Sequence, residues 1–184
     1  MYTQITSALI SLLSDSLKGI LSPGQVGLYL PHERGEITLG LYLYSIRDCT
    51  EMGTPDISAV ARNVRAMPPR FVTLHYLMTA YSKSEVAHRA TDDCRILEAA
   101  MQVFEDNPVL NEKNLGFKPG SRVNELKLEF VDLPHAEIAG IWEHQDVPYR
   151  LSAAYRVMPV ELSRGLGRIS ERVEEVQSNF EGIE

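Results

Sequence analysis

The stretch that decides the fold is residues 68–81, Pro-Pro-Arg-Phe-Val-Thr-Leu-His-Tyr-Leu-Met-Thr-Ala-Tyr. It is rich in β-branched and aromatic residues and contains no glycine, which is typical of a strand. Alternate side chains of a strand point to opposite sides. One face carries Val72, Leu74, Tyr76, Met78 and Ala80, and the other carries Phe71, Thr73, His75, Leu77, Thr79 and Tyr81. Neither face suits open water, so the stretch is predicted to be a central strand covered on both sides.

The segments around this strand predict an α/β domain with a mixed, mostly antiparallel sheet of about four to five strands flanked by helices. Alternating apolar residues predict strands over 37–47, 122–131 and 149–161, and residues 26–30 form a loop or a short strand. Residues 2–21 and 135–145 are predicted helices, the first with its apolar residues at helical spacing over one face of the sheet. The segments 48–68 and 107–121 are predicted loops.

The clearest predicted helix follows the central strand directly. Ser82 with Glu85 three residues later fits a capping box, and Asn107-Pro108 ends the helix. Its apolar stripe is Val86, Ala90, Cys94, Leu97, Met101 and Phe104. The short connection indicates that helix and strand pack on each other.

The last residues, 163–184, differ from the domain predicted over 1–162 and are interpreted as an amphipathic C-terminal tail. A narrow apolar seam with spacings of three and four runs along it: Leu166, Ile169, Val173, Val176 and Phe180. Such a seam suits docking onto a partner or a neighbouring copy. A helix folded back on its own domain explains it equally well.

Charge and hydropathy exclude several classes of partner. The net charge is -7 with no dense run of Lys or Arg, which argues against nucleic acid. No apolar run approaches the roughly 20 residues that span a bilayer, so membrane insertion is not expected. The N-terminus lacks the features of a signal peptide, and Cys49 and Cys94 form no motif. We therefore expect synthesis in the cytoplasm with both thiols reduced.

No catalytic or cofactor motif stands out. The histidines are His32, His75, His88, His135 and His144, and none has the spacing of a zinc site. His75 on the central strand is interpreted as a hydrogen-bonded core residue. No nucleophile elbow and no phosphate-binding glycine loop is present. The protein is not expected to be an enzyme or to hold a metal or cofactor; an enzyme with a site near His75 or His88 is a weak alternative.

Several short motifs, taken in order, resemble one known family. They are Leu39-Gly-Leu-Tyr-Leu-Tyr44, Arg62-Asn63, Pro68-Pro69 with Leu74-His-Tyr-Leu-Met-Thr-Ala-Tyr81, Ala100-Met101 with Phe104 and Asp106-Asn-Pro-Val-Leu110, and Trp142 with Pro148-Tyr-Arg-Leu-Ser152 and Tyr155. Together they resemble the cap, or tail-terminator, family of extracellular contractile injection systems, which are phage-tail-like particles. The resemblance covers about residues 2–162. Two departures are that some relatives have a large extra C-terminal region, and that segment 48–68 aligns only at Arg62-Asn63.

The resemblance implies a structural role and a fold like that of phage tail terminators. Family members form a sixfold ring that closes the inner tube and the sheath at the end distal to the baseplate. The implied partners are other copies of the chain, the last sheath ring and the inner-tube ring. The implied location is the cytoplasm during assembly and then the particle, including released particles. The alternative is an assembly chaperone or adaptor that does not stay in the particle.

A ring needs a heterologous interface, in which one patch meets a different patch on the next copy. Aromatic and arginine side chains often anchor interfaces, so Tyr42, Tyr44, Arg150 and Arg156 are candidate contacts. Internal packing is the competing explanation for the tyrosines. Arg62-Asn63 either reaches a neighbour or the tube, or pins its own loop through backbone carbonyls.

Overall fold

The computed structural model describes residues 1–31, 33, 35–52, 70–120, 122–143 and 148–162. These residues form a single six-stranded sheet with helices packed against it. Its strands are β1 Val26–Leu28, β2 Leu39–Asp48, β3 Arg70–Ala80, β4 Val109–Asn111, β5 Glu125–Val131 and β6 Ser152–Leu162. They are ordered β1-β2-β3-β6-β5-β4, with β1 parallel to β2 and every other neighbouring pair antiparallel. The helices are α1 Tyr2–Ser16, α2 Val86–Glu105, α3 Glu112–Leu115 and α4 His135–Glu143.

The central position predicted for the stretch 68–81 is confirmed for its described part, because β3 lies between β2 and β6. Its side chains are almost all buried, as expected for a strand covered on both faces. The mixed, mostly antiparallel α/β class is confirmed too, and 26–30 contains the short strand β1. The strand count was low by at least one, since the sheet has six strands.

The segment 107–121 was predicted as a loop, and this was wrong. It contains β4 and α3, and three residues of strand are too few for alternation to be recognised in the sequence. The start of α3 is closed by a capping box built from two asparagines, Asn111 and Asn114, where glutamate or glutamine usually takes the second place. Gly116 ends the helix in the left-handed conformation, with φ 73°.

The larger part of the core lies on one face of the sheet, here called the helix face, under α1 and α2. The inner side of α1 contributes Ile5, Leu9 and Leu13, which are buried. The predicted helix 2–21 ends earlier than expected, at Ser16, and Ile20 is exposed. Leu17 and Leu21, in the turns that follow, still contribute to the core.

The first half of α2 was predicted incorrectly. Ser82 does not cap it: the Ser82 hydroxyl accepts from the Ser84 backbone N–H, and the helix begins at Val86. Val86 is 82% exposed and Cys94 is also exposed, so the expected apolar stripe fails over this half. The residues of α2 that are buried are Ile96, Leu97, Ala100 and Phe104. Only the second half of the helix is therefore packed on the sheet.

The predicted one-sided pattern of β5 holds at Leu126 and Leu128, which are buried, but not at Phe130, which is 50% exposed. The ring of Phe130 lies 5.6 Å from that of Tyr155 in an edge-to-face contact. Among the described residues, the sheet continues on one side of Phe130 only, because β4 pairs with β5 no further than Lys127. Incomplete strand pairing thus explains its exposure.

Two buried tyrosines stand directly opposite each other on the helix face and differ in one hydrogen bond. The Tyr76 hydroxyl lies 2.8 Å from Thr6 Oγ1, whereas the Tyr155 hydroxyl has no partner among the residues described. Burial raises the pKa of each to about 12, so both are neutral near pH 7. Variants of the two tyrosines can therefore distinguish how a hydrogen-bonded and an unpartnered buried hydroxyl each affect stability.

We expect Tyr76→Phe to lower the free energy of unfolding by about 1 kcal/mol, because the buried hydrogen bond between the Tyr76 hydroxyl and Thr6 Oγ1 is lost, while Thr6 keeps its hydrogen bond to Tyr2 C=O. Tyr155→Phe should leave it unchanged or raise it by up to about 1 kcal/mol, because a buried hydroxyl without a partner is removed. Urea unfolding of the two variants in parallel measures the difference. Equal losses in both variants would contradict this account.

Candidate functional site

The opposite face of the sheet, here called the tyrosine face, carries a second and smaller cluster. Its buried members are Tyr29, Leu77, Tyr81, Trp142 and Ala154. Trp142 comes from α4, the nine-residue helix that packs on this face, as the sequence predicted for residues 135–145. A nine-residue helix is about 14 Å long and cannot cover a whole sheet face. Among the described residues, α4 therefore covers only part of the tyrosine face.

Three tyrosines give this face its shape. The hydroxyls of Tyr81 and Tyr29 are 3.0 Å apart, and the two rings meet edge to face at 5.4 Å. The ring of Tyr42 lies 6.5 Å from that of Tyr29. Tyr29 lies over the backbone of Gly40, where a Cβ atom would fall well inside the van der Waals radius of the ring. A glycine in β2 is thus what lets Tyr29 lie flat on the strand.

Beside the cluster is an open groove of about 420 Å³ between β2 and α4. It is lined by Tyr42, Tyr44, Ser45, Arg47, Leu133, Glu137, Gly140 and Ile141. Burial raises the pKa of Tyr44, with the positive charge of Arg47 lowering it and the negative charge of Glu137 raising it. Tyr44 is therefore neutral near pH 7 and suited to hydrogen bonding. The groove offers aromatic, apolar and charged contacts, which suits binding.

A charged network crosses the same face. Arg156 Nε donates to Glu129 Oε2 at 2.9 Å, and Arg156 Nη2 lies 3.2 Å from Glu51 Oε1. Lys127 Nζ is 4.0 Å from the same Glu51 carboxylate. Glu51 belongs to the 3₁₀ turn Thr50–Met52, so the network ties that turn to β5 and β6. Each pair is partly exposed and contributes at most about 1 kcal/mol.

Arg150 is held at the end of β6 by contacts within the chain. Its guanidinium lies 5.4 Å from the centre of the Tyr81 ring, a cation–π distance. Its Nη1 atom is also 3.4 Å from Asp93 Oδ2 on α2. Arg150 thus links the tyrosine face to the helix on the other side of the sheet.

His75 lies in the middle of the tyrosine face. The ring is half-buried, with its centroid 5.9 Å from that of Tyr44. The ring is thus only partly in the core, and its contact among the described residues is this aromatic one; the expected side-chain hydrogen bond stays a prediction. Burial lowers the pKa of His75, and the nearby charges of Arg47 and Arg156 lower it further. The imidazole is therefore neutral near pH 7.

This lowered pKa makes stability depend on pH. The unfolded chain takes up a proton at His75 near pH 6.5, but the folded chain does so only at lower pH, so stability falls as the pH drops through this interval. We expect His75→Gln to lose less stability than the wild type between pH 7 and pH 5. Urea unfolding at each pH measures this, with exposed His88→Gln as the matched control. Identical pH profiles for His75→Gln and wild type would contradict it.

The predicted interface residues fall into two groups. Tyr42, Tyr44 and Arg156 lie together on the tyrosine face and Arg150 at its end, all four engaged in contacts within the chain. The others lie outside the described residues: Arg62, Asn63, Leu166, Ile169, Val173, Val176 and Phe180. His32 and His144 lie outside them as well. The interface role of all these residues stays a prediction.

Sequence reasoning missed three members of this face: Tyr29, Arg47 and Glu137. Tyr29 comes from a short segment after β1, and only its packing over Gly40 reveals its role. Arg47 and Glu137 are far apart in sequence and meet at one groove because α4 packs beside β2. No local motif could have placed them together.

Two further properties hold for the described ranges of the chain. No cluster of three or more His, Cys, Asp or Glu side chains there could hold a metal ion. No helix there combines the length and the apolar character that crossing a membrane requires. The two cysteines are free thiols, Cys49 buried and Cys94 exposed.

Solved structures share this fold. One is the sheath/tube terminator of an extracellular contractile injection system, PVC, in its extended state, with a TM-score of 0.56 and 16% identity. Another is the tube-terminating cap of the anti-feeding prophage, AFP, with a TM-score of 0.59 and 14% identity. The matches cover 100% and 96% of this chain, but only 64% and 60% of those chains. The present chain thus spans about three fifths of the length of the terminators it matches.

The sequence was also compared with known families. No curated protein gave a significant match. The sequence profile described as the Pvc16 N-terminal domain matches residues 4–173, nearly the whole chain. The resemblance drawn from the motifs is confirmed, and the chain belongs to the Pvc16 N-terminal domain family.

Proposed function

We propose that the chain is a structural cap, or tail terminator, of a contractile injection system. In this role a sixfold ring of the chain closes the inner tube and sheath at the end distal to the baseplate. The observation that carries the proposal is the family match over residues 4–173, on a fold that two solved terminators share. The partners are other copies of the chain, the last sheath ring and the inner-tube ring. Assembly takes place in the cytoplasm before the chain enters the particle.

The physical character of the domain supports a structural role. The central strands are covered on both faces, which gives a rigid platform. The buried titratable side chains Tyr76 and Tyr155 are held neutral in the core, and the groove beside α4 combines tyrosines with one arginine and one glutamate. Such a set suits recognition of another protein surface. On this proposal the chain acts by contact with other protein surfaces.

The position of the chain on the particle tests this proposal directly. A small tag at the N-terminus, followed by purification of particles and antibody labelling in the electron microscope, should mark one tip, opposite the baseplate. Removal of the gene should give tails of irregular length. Labelling along the whole tail would contradict a cap. A chain required for assembly but missing from finished particles would instead identify a chaperone or adaptor.

We also propose that residues 163–184 contact the sheath or tube, with the apolar seam as the docking side. The family match extends to residue 173, past the end of β6 at Leu162. Removing residues 163–184 should abolish capping while the domain 1–162 still folds. A matched variant that changes only polar tail positions, Ser170→Ala and Gln177→Ala, should cap normally. Capped tails of uniform length, assembled with the truncated chain, would contradict this proposal.

Arg62 and Asn63 are a second proposed contact, with a neighbouring copy or the tube. Arg62→Ala should reduce capping without changing the stability of the domain. Normal capping by this variant would leave Arg62 as a residue that only pins its own loop.

A further inference from the structure

Both ends of the sheet are incomplete among the described residues. At one end, β1 pairs with only three residues of β2, Leu39–Leu41, although β2 continues to Asp48. At the other end, β4 pairs with Glu125–Lys127 of β5, although β5 continues to Val131. Unpaired strand edges are templates for adding another strand. The sheet thus has two edges at which a strand of another chain could pair.

The two gaps stand at the same height in the sheet. Strand register places Leu43 opposite Tyr76, Tyr76 opposite Tyr155, and Tyr155 opposite Phe130. One straight row across the four strands therefore begins at Leu43 on one edge and ends at Phe130 on the other. The next row in register, Ser45–His75–Arg156–Glu129, also runs from gap to gap.

The backbone of both edge residues faces outward. Leu41 C=O accepts from the Tyr29 N–H on the β1 side, and the Leu128 N–H donates to Pro108 C=O on the β4 side. Because backbone groups alternate along a strand, Leu43 and Phe130, two residues further on, point theirs the same way. The two strands also run in opposite directions, since three antiparallel pairings separate them. Both edges thus offer matching groups for an antiparallel pair.

We propose that β2 of one copy pairs with β5 of the next, with Leu43 opposite Phe130, so that the sheet continues from subunit to subunit. This inference rests on the ring of the proposed function. Rotation about an axis along the strands leaves strand direction unchanged, so β2 meets β5 of the neighbour antiparallel. Because the two unpaired edge segments lie at the same height, the next copy needs no translation along that axis. Copies related by rotation without translation close into a ring, whereas an added translation would give a helix.

The side chains in this row agree with the pairing. Leu43 packs against the helix-face core, and Tyr155 and Phe130 stand on that same face. Pairing would bring Leu43 of one copy against the half-exposed ring of Phe130 of the next. The occupant that fits is therefore a second copy of this chain, which supplies an apolar neighbour at the right height and on the right face.

The edges are short, which limits pairing with unrelated strands. A bulge between Leu43 and Ser45 interrupts β2, and Pro134 follows β5 closely. Irregular and short edges are poor templates for aggregation. A single contact of a few residues is weak, so the ring depends on closing all its contacts at once.

Paired cysteines test this register. In a Cys94→Ser background, the chain carries Ser45→Cys and Glu129→Cys, which face each other between copies in the proposed pairing. Within one copy these positions are three strand spacings apart, about 14 Å, too far for a disulfide. Mild oxidation of purified particles should give a ladder ending at six chains on a non-reducing gel, lost on reduction. The matched control replaces Ser45→Cys with Leu28→Cys, 52% exposed on β1, and should give no ladder.

The outcomes separate the two proposals. A chain found at the tail tip that forms no ladder would overturn the edge pairing and leave the cap standing. A control ladder as strong as the test ladder would also overturn the pairing. Absence of the chain from finished particles would overturn the cap and this inference with it. As a second variant, Phe130→Ser should have a melting temperature close to that of the wild type. The amount of this variant recovered on particles should be less than a tenth of the wild-type amount. Full recovery would overturn the pairing.

Discussion

Replacing Gly40 with alanine is expected to destabilise the domain by about 3 kcal/mol, the upper end of the usual cost of overpacking a core. The new Cβ would collide with ring carbons Cδ1 and Cε1 of Tyr29. The ring cannot move aside freely, because Tyr81 holds it through a 3.0 Å hydroxyl contact and an edge-to-face ring contact. Either the ring leaves its buried place or β2 shifts, and both disrupt a packed core. Urea unfolding measures the loss.

A double-mutant cycle identifies the cause. Gly40→Ala in a Tyr29→Ala background should cost less than about 0.5 kcal/mol beyond Tyr29→Ala alone, because the colliding ring is gone. Gly140→Ala is the matched glycine control: a Cβ there meets nothing within 4 Å, and α4 should gain up to about 1 kcal/mol from the better helix former. Additive losses in the double variant would show that Tyr29 is not the reason for the glycine.

The central strand could be predicted because its signal is local and its physical demand is strong. Residues 70–80 carry apolar side chains at both parities, and burying both faces requires a neighbour on each side and a layer above and below. The α/β class followed from the same pattern in β2 and β6. The family motifs added the expected architecture, and the match over residues 4–173 agrees with them.

Other features depend on partners that a local pattern does not contain. The capping-box pattern at Ser82 and Glu85 failed because the Ser82 hydroxyl accepts from Ser84 instead, and the helix starts at Val86. Phe130 alternates like a core residue but lies beyond the last pair of β4 with β5, where the described part of the chain adds no further strand. Burial at such positions is decided by tertiary neighbours.

The site was predictable only in part for the same reason. Tyr42 and Tyr44 stand out in the motif of β2, but the groove also needs Arg47 and Glu137, which α4 brings together. The equal height of Leu43 and Phe130 depends on the register of three strand pairs, including the bulges after Leu43 and Val72. A shift of one residue in any pair would separate the edges. Register of this kind follows from packing and is not written in any one segment.

Trp142→Ala is expected to cost about 3–5 kcal/mol, the range for truncating a large buried aromatic. The indole is 2% exposed and is the buried residue of α4, so it anchors that helix to the tyrosine face. We expect the amide hydrogens of α4 to exchange with solvent much faster in the variant, while β3 keeps the slowest exchange because the helix-face core remains. Hydrogen exchange followed by mass spectrometry measures both.

Trp142→Phe is the matched control for this anchor. The indole N–H has no partner among the described residues, so phenylalanine loses volume but no hydrogen bond there, and should cost about 1 kcal/mol. Its α4 amides should stay protected. Because the groove lies between α4 and β2, Trp142→Ala should also abolish binding of any partner at the groove, whereas Trp142→Phe should retain that binding. If α4 stays protected in Trp142→Ala, other contacts hold the helix, and Ile138 and Ile141 are then the residues that fix the groove.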